Sequence, residues 1–286
     1  MSKSGREVID FAFLDSGTGG IPYMLTLKQK MPEARCVYLG DTAHFPYGEK
    51  SLEQVTECAS ASIKLIVEKW NPRTVVIACN TISVTALTEL RNLFPGLPIV
   101  GTVPAIKLAA NVTSNKKIGL LATNATVNHP YCKKLILDFA SDCQVFSRGD
   151  PDLISFVEHD LFTASEEEKK NAVLPAVNFF KEKDCDTIIL GCTHFCHMAQ
   201  EISKVAGPEV KIVDSRDGVC RQAIKVENSE SSTQLFHADY SDRKNLPADE
   251  TFFVTSLDSS SDSKEYEVLC SRYNIPWGGI IKMESK

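Results

Sequence analysis

No apolar run in this 286-residue sequence approaches the ~20 residues that a membrane-spanning helix needs. The first residues reach Arg6 and Glu7 before any apolar stretch, so they read as neither signal peptide nor anchor, and a cytoplasmic chain without a membrane partner is expected. Basic clusters are also missing: 31 Lys and Arg are scattered among 37 Asp and Glu, for a net charge of −6. This removes the footprint of a nucleic-acid binder and leaves a small molecule as the expected partner. There is no C-x2-C pair for structural zinc, no G-x-G-x-x-G turn and no Walker lysine.

What is present is an apolar fraction of 43%, enough for two cores. Ten cysteines lie mostly singly in apolar segments such as "EARCVYLGD"; without an export signal they read as free thiols. Short β-branched runs ("FAFLDSG", "RCVYLGD", "TVVIACNT", "PIVGTV", "KIGLLATNAT", "DTIILGCTH", "VKIVDS") alternate with helical patterns, which predicts an α/β fold with mostly parallel sheets. Ser51 and Gln54, then Ser165 and Glu168, have capping-box spacing. Val55, Ala59, Ile63 and Ile66 follow the first on one helical face; Ala172, Val173, Ala176 and Phe179 follow the second.

The two parts of the chain echo each other. A strand ends at Asp15 and a later one reaches Cys79; a strand ends near Thr123 and, after a similar interval, another reaches Cys192. This predicts a duplicated α/β unit with the two cysteines in equivalent places, at strand carboxyl ends facing one cleft. Punctuation at Gly101 and Pro104, and again at "KIVDSRDG", divides the chain into 1–103 with 214–286, and 104–213. The serine-rich tail is expected to add long loops, one strand ("TFFVT") and one last helix to the first unit.

The segment "DTIILGCTHFCHM" concentrates Cys192, His194, Cys196 and His197. Zinc would need them to converge, but in a helix beginning after Cys192 the side chains of His194 and Cys196 diverge. A thiol at a strand end, before free helical N–H groups, favours the thiolate; the alternative is a buried structural cysteine, and the copy at Cys79 favours the reactive reading. "DSGTGG" is read as a tight turn exposing Asp15, Ser16 and backbone donors to an amino or carboxylate group. "GDTAHFPYGEKS" is either a rigid lid or a plain turn carrying His44, Pro46, Tyr47 and Gly48. His129 and His159 have no partner discernible in sequence, nothing local makes Glu158 catalytic, and the remaining cysteines read as packing or surface thiols.

Taken in order, "DSGTGG", "YLGDTAHFPYG", "VVIACNT", "VPAIK", "TIILGCTH", "VDS" and "FFVTS" resemble the glutamate racemases of the aspartate/glutamate racemase family over most of the chain. The resemblance implies two similar domains related by pseudo-two-fold symmetry, with the active site at their interface. It implies cofactor-independent, metal-free interconversion of L- and D-glutamate, the D isomer supplying peptidoglycan, and leaves room for a homodimer. By that likeness Cys79 and Cys192 are the two bases, Asp15 assists Cys79, and His194 with Glu158 assists Cys192. Substrate contacts carry over to Asp15, Ser16, Tyr47, Gly48, Asn80, Thr81, Thr193 and His194, with Thr123 and Thr126 near the carboxylate. The chain departs from the usual pattern at Leu108, Asp150-Pro151, Phe195-Cys196 and Arg216. Aspartate racemisation, and a metal- or ligand-binding module built on Cys192, His194, Cys196 and His197, are the competing readings.

Overall fold

The computed structural model describes residues 8–229, 246–257 and 263–283. Strands β1 (Phe11–Asp15), β2 (Cys36–Gly40), β3 (Thr74–Ile77) and β4 (Ile99–Gly101) come first, joined by α1 (Ile21–Lys30), α2 (Leu52–Trp70) and α3 (Asn80–Leu93). Helix α4 (Ile106–Val112) leads into β5 (Lys117–Ala122), β6 (Gln144–Gly149), β7 (Thr187–Leu190) and β8 (Lys211–Val213). Between these strands lie α5 (Asn124–Asn128), α6 (Pro130–Phe139), α7 (Pro151–His159), α8 (Glu166–Glu182) and α9 (Ala199–Ala206). The last elements are α10 (Arg216–Glu227), β9 (Thr251–Val254), α11 (Lys264–Tyr273) and β10 (Trp277–Ile280).

Two parallel sheets result, ordered β10-β9-β2-β1-β3-β4 and β6-β5-β7-β8. The order β2-β1-β3-β4 in one is the order β6-β5-β7-β8 in the other, so the repeat read from sequence is a repeat of winding. Every residue of β1, β2 and β3 is buried, as a parallel strand covered by helices on both faces requires. Phe11, Phe13, Tyr38 and Phe252 face one layer of the first sheet, against Ile21 and Met24 of α1 and Val219 of α10; Leu14, Val37 and Ile77 face Ile63 and Ile66 of α2 on the other. In each sheet the chain reverses its winding direction between the first and third strands of the repeat, β1 and β3 or β5 and β7. That reversal opens a crevice at the strand carboxyl ends.

Both capping boxes form, and the predicted face of α2 is buried. Helix α8 differs: Val173, Ala176, Val177 and Phe180 face the core, with Phe179 at the edge against Phe180. The tail differs as well. Beyond β9 and α11 it adds a last strand, β10, "WGGI", whose two glycines carry no alternating pattern, yet which pairs with β9. Most of the serine-rich stretches lie outside the described residues.

Gly119 in the middle of β5 makes room for Phe180: a Cβ there would stand 2.5 Å from the ring. Glycine in a strand costs conformational entropy, so alanine would gain about 0.5–1 kcal/mol if it fitted, but overpacking costs about 1–3 kcal/mol. The clash should win. Gly119→Ala is predicted to lower the urea midpoint, with a net loss of about 1–2 kcal/mol.

Candidate active site

The two crevices face each other across a cavity of about 390 Å³. The first sheet contributes Ser16 after β1, Cys79, Asn80 and Thr81 after β3, and the segment 45–49 after β2. The second contributes Thr123 and Asn124 after β5, Pro151, Ile154, Ser155 and His159 of α7, and Cys192, Thr193 and His194 after β7. Both predicted thiols therefore line one cavity, from opposite halves of the repeat.

On the Cys192 side, Sγ lies 3.6 Å from His194 Nδ1, and His194 Nε2 donates to Glu158 Oε2 at 2.9 Å. The same carboxylate oxygen accepts from the Thr18 hydroxyl at 2.7 Å and the Thr18 backbone N–H at 2.9 Å. Close approach of this pair depends on missing side chains: a Cβ on Gly17 would stand 2.5 Å from Glu158 Oε2, and one on Gly19 would stand 2.5 Å from His194 Nδ1. The "DSGTGG" turn thus admits groups from the other half. Its Thr18 and Ser16 N–H groups bond to Glu158 and Asp15. That corrects the expectation that these backbone donors face a ligand. Cys192 is followed by a six-residue 3-10 turn, Thr193–Met198, and the α-helix starts only at Ala199.

On the other side, Cys79 is the N-cap residue of α3, with extended backbone. Asp15 lies behind it and is fully buried, accepting from Ser16 N–H at 2.7 Å and the Thr193 hydroxyl at 3.1 Å. Next to Cys79, the Asn80 amide is buried at the cavity wall and, among the described residues, neither its oxygen nor its nitrogen has a partner. An unpaired buried amide is costly, which makes it a natural donor and acceptor for a bound polar molecule. Thr81 and Thr123 join across the halves at 3.0 Å. Thr126 stands behind the wall, bonded to the Thr123 hydroxyl at 2.9 Å.

The segment "GDTAHFPYGEKS" is a rigid wall. Asp41, fully buried, accepts from Tyr47 OH at 2.5 Å, Ser62 Oγ at 2.8 Å, Thr255 Oγ1 at 2.9 Å and His44 Nδ1 at 2.9 Å. Tyr47 and Gly48 are thereby set against the cavity, Gly48 packing toward Thr123. The hydrogen bond to Asp41 raises the pKa of His44, outweighing its partial burial.

The competing metal reading finds no geometry. His194 is committed to Cys192 and Glu158, and His197 turns its two ring nitrogens to Tyr273 and Thr18. No group of three or more metal-ligating side chains comes together among the described residues.

The profile of the Asp/Glu/Hydantoin racemases matches residues 25–223. The chain belongs to that family. It is 35% identical over 276 residues to the glutamate racemase of Treponema pallidum strain Nichols, covering 96% of this chain and 98% of that one. With the glutamate racemase of Proteus mirabilis it shares 38% over 210 residues, 73% of this chain and 72% of the relative. Among solved structures, Escherichia coli glutamate racemase, in complex with L-glutamate and the activator UDP-MurNAc-Ala, superposes with a TM-score of 0.78 at 28% identity, covering 96% of this chain and 98% of that one. The RacE1 isoform of Bacillus anthracis shares the fold, with a TM-score of 0.75 at 24% identity over 98% of this chain and all of that one.

Within this racemase fold, the wall also holds residues that sequence reasoning missed. His159 meets Phe45 edge-on at 5.9 Å, and Phe45 in turn lies 5.9 Å from His194. His159 carries no motif, and Phe45 lies in the "GDTAHFPYGEKS" segment without having been singled out there; only the packing of α7 against the 45–49 segment brings them together. His129, by contrast, caps α6 by accepting from Tyr131 N–H. Two of the departures, Asp150 and Arg216, are absorbed locally. Asp150 caps α7 through Leu153 N–H and pairs with Arg148, and Arg216 bonds both oxygens of Asp214.

Electrostatics separates the two sides. Burial raises the Cys79 pKa well above that of a free thiol, and the neighbouring Asp15 raises it further. Burial also raises Asp15, only partly offset by His194 and Cys79. For His194 burial acts downward, but Cys192 and Glu158 outweigh it and hold its pKa well above 6.5. Glu158 is the converse: burial acts upward, and His194 with Thr18 brings it below the ordinary glutamate value. Both directions favour the imidazolium–carboxylate form of this pair.

These two shifts fix a pH window. The Glu158 contribution to stability is present above an unfolded pKa of about 4.3 and is lost as pH falls through its lowered folded value. The His194 contribution is complete below about 6.5 and is lost as pH rises through its raised folded value. The stability difference between the native protein and Glu158→Gln should be largest from about pH 4.3 to 6.5, at about 3 kcal/mol, and shrink on both sides. Urea unfolding across that range measures it; a difference that keeps growing from pH 6.5 to 9 would contradict the assignment.

Proposed function

We propose that this chain is a cofactor-independent glutamate racemase that moves the Cα proton between two thiols, Cys79 and Cys192. The observation that carries this reading is the placement of both cysteines on one cavity, one from each half of the repeat. The names of the relatives supply the substrate: the Treponema pallidum protein, alike over nearly the whole chain, is a glutamate racemase.

Inverting Cα requires a proton to leave one face and another to arrive at the opposite face, so a planar intermediate needs a group on each side. In one direction Cys192 starts as thiolate, favoured by the His194 imidazolium 3.6 Å away. It takes the Cα proton, and Cys79, held as a thiol by burial and by Asp15, delivers its own to the other face. In the reverse direction the roles swap: Cys79 passes its proton to the Asp15 carboxylate beside it and acts as the base, while Cys192 takes a proton from the His194 imidazolium and delivers it to the other face. A turnover of about 10 per second corresponds to a barrier of about 16 kcal/mol, far below that of an unassisted carbon acid. The remaining stabilisation comes from donors aimed at the substrate carboxylates. Asn80, Thr81, Thr123, Thr193 and Ser16 supply side-chain groups for this, with Tyr47 and Gly48 forming the opposing wall. Thr126 acts by holding Thr123.

In this reading the unit 1–103 with 214–286 provides Cys79 and the unit 104–213 provides Cys192, a division supported by which sheet each strand joins. Both thiols come from one chain, so a homodimer is not needed to complete the site. The enzyme acts on a free amino acid in the cytoplasm, and its D-glutamate feeds peptidoglycan synthesis.

Cys79→Ser and Cys192→Ser should each lower racemisation of glutamate by about a thousandfold or more, followed by circular dichroism in both directions. In D2O the native protein should place solvent deuterium at Cα of the product enantiomer. Undiminished racemisation by either variant would sink the two-thiol mechanism, and faster turnover of aspartate than of glutamate would shift the substrate assignment.

A further inference from the structure

His197 lies outside the cavity wall, on the turn that carries Cys192 and His194, and the reaction makes no use of it. Both its ring nitrogens are nevertheless committed. Nε2 is 3.1 Å from the carbonyl oxygen of Thr18, and Nδ1 is 2.6 Å from the hydroxyl of Tyr273. A carbonyl can only accept, so Nε2 carries a proton; in the neutral ring Nδ1 then offers a lone pair, to which Tyr273 donates. The neutral ring in this tautomer satisfies both partners, as the imidazolium also would by donating from Nδ1 to the Tyr273 oxygen. Phe162 covers the ring edge-on at 5.7 Å, and Tyr273 lies 5.6 Å from it. Burial, with the nearby His194, brings the pKa of His197 down to about 4, so the neutral form is the one present at pH 7.

Thr18 is the link to the site. Its N–H and O–H both end on Glu158 Oε2, the oxygen that holds His194. Its carbonyl is fixed from the other side by His197 and by Ile21 N–H at 3.1 Å. Residues 17, 19 and 20 are glycines, so the turn has few side chains of its own to brace Thr18. The unbroken series runs Tyr273, His197, Thr18, Glu158, His194, Cys192.

We propose that His197 is a positioning residue for the Glu158–His194 pair: it clamps Thr18 from behind, and Thr18 presents two donors to the carboxylate oxygen that orients His194 toward Cys192. The proposal rests on the reading of Cys192 and His194 as one base of the racemase. It makes α11, near the end of the chain, a support of that base through the Tyr273 hydroxyl. The "FCHM" portion of the cysteine- and histidine-rich segment thereby acquires a role other than metal binding.

The test compares the full-length protein with His197→Leu, His197→Gln and Tyr273→Phe. Steady-state kinetics with both glutamate enantiomers is one readout. The other is the titration of the His194 ring followed by 15N NMR and assigned with a His194→Asn sample. The titratable groups facing His194 are Glu158 from α7, Cys192 from its own turn, Asp15 from the end of β1 and His197 itself; of these the variants change only His197. In His197→Leu, kcat should fall about tenfold with KM within about twofold, and the His194 midpoint should drop by about one pH unit as Glu158 loosens. His197→Gln, whose amide can donate to Thr18 and accept from Tyr273, should recover most of both. Tyr273→Phe should move both in the same direction by a smaller amount, and it carries the test if His197→Leu does not fold. An unmoved His194 titration overturns the proposal, whether kcat falls or not, because a merely structural loss would leave that midpoint in place. The titration needs no turnover, so a native protein that fails to racemise glutamate would end the functional reading while His197 is still judged by the NMR.

Discussion

One carboxylate oxygen, Oε2 of Glu158, carries three hydrogen bonds: two that cross between the sheets, from Thr18 in the turn after β1, and one within the second half, from His194 in the turn after β7. Taking a carboxylate and an imidazolium out of water together is expensive, and the attraction between them offsets this only if the remaining lone pairs are also used. Thr18 uses them. The glycines on either side of it are what let the two halves come close enough, so composition of a short turn decides whether a buried ion pair forms at all. The same contact that joins the sheets also keeps a positive charge beside Cys192. Cohesion between the halves and the chemistry of one wall are a single arrangement.

The opposite wall is built on a different principle. Asp41 gathers four donors from three parts of the chain, α2, the end of β9 and its own loop, and so fixes a segment that would otherwise be an ordinary surface connection. The cavity is then largely formed before anything enters it, which spares a ligand the entropy of ordering that loop. Asn80 is the complement. Its unpartnered amide is a group already desolvated and waiting for a polar ligand, while Thr81 and Thr123 hold each other in place across the gap.

Much of this was legible in the sequence, for identifiable reasons. Strands and helices carry their own periodicity, so the parallel sheets, the two capping boxes and the buried face of α2 follow from local pattern. The pairing of Cys79 with Cys192 was legible because duplication repeats a position. What depends on long-range packing was not. Glu158 sits on a helix face that looks like any other, and only family likeness singled it out before Thr18 and His194 were seen to surround it. His159 and Phe45 join the wall because α7 meets the loop after β2, a contact with no trace in either segment. The strand β10 escaped notice because its glycines erase alternation, and the 3-10 turn after Cys192 because its apolar spacing also suits an α-helix.

The last consequence concerns the path of the backbone between the sheets. The chain leaves the first sheet after β4 and returns after β8, and the two crossings, at 101–108 and 214–222, run along one shared groove. Two covalent tethers placed side by side suppress sliding and twisting of one half against the other far more than a single linker would. The one rotation they leave, about the line that joins them, is opposed by the Thr18–Glu158, Thr193–Asp15 and Thr81–Thr123 bonds between the halves. Widening the gap between the two cysteines therefore means breaking those bonds, so the span available to a substrate is tied to the surroundings of both sulfurs.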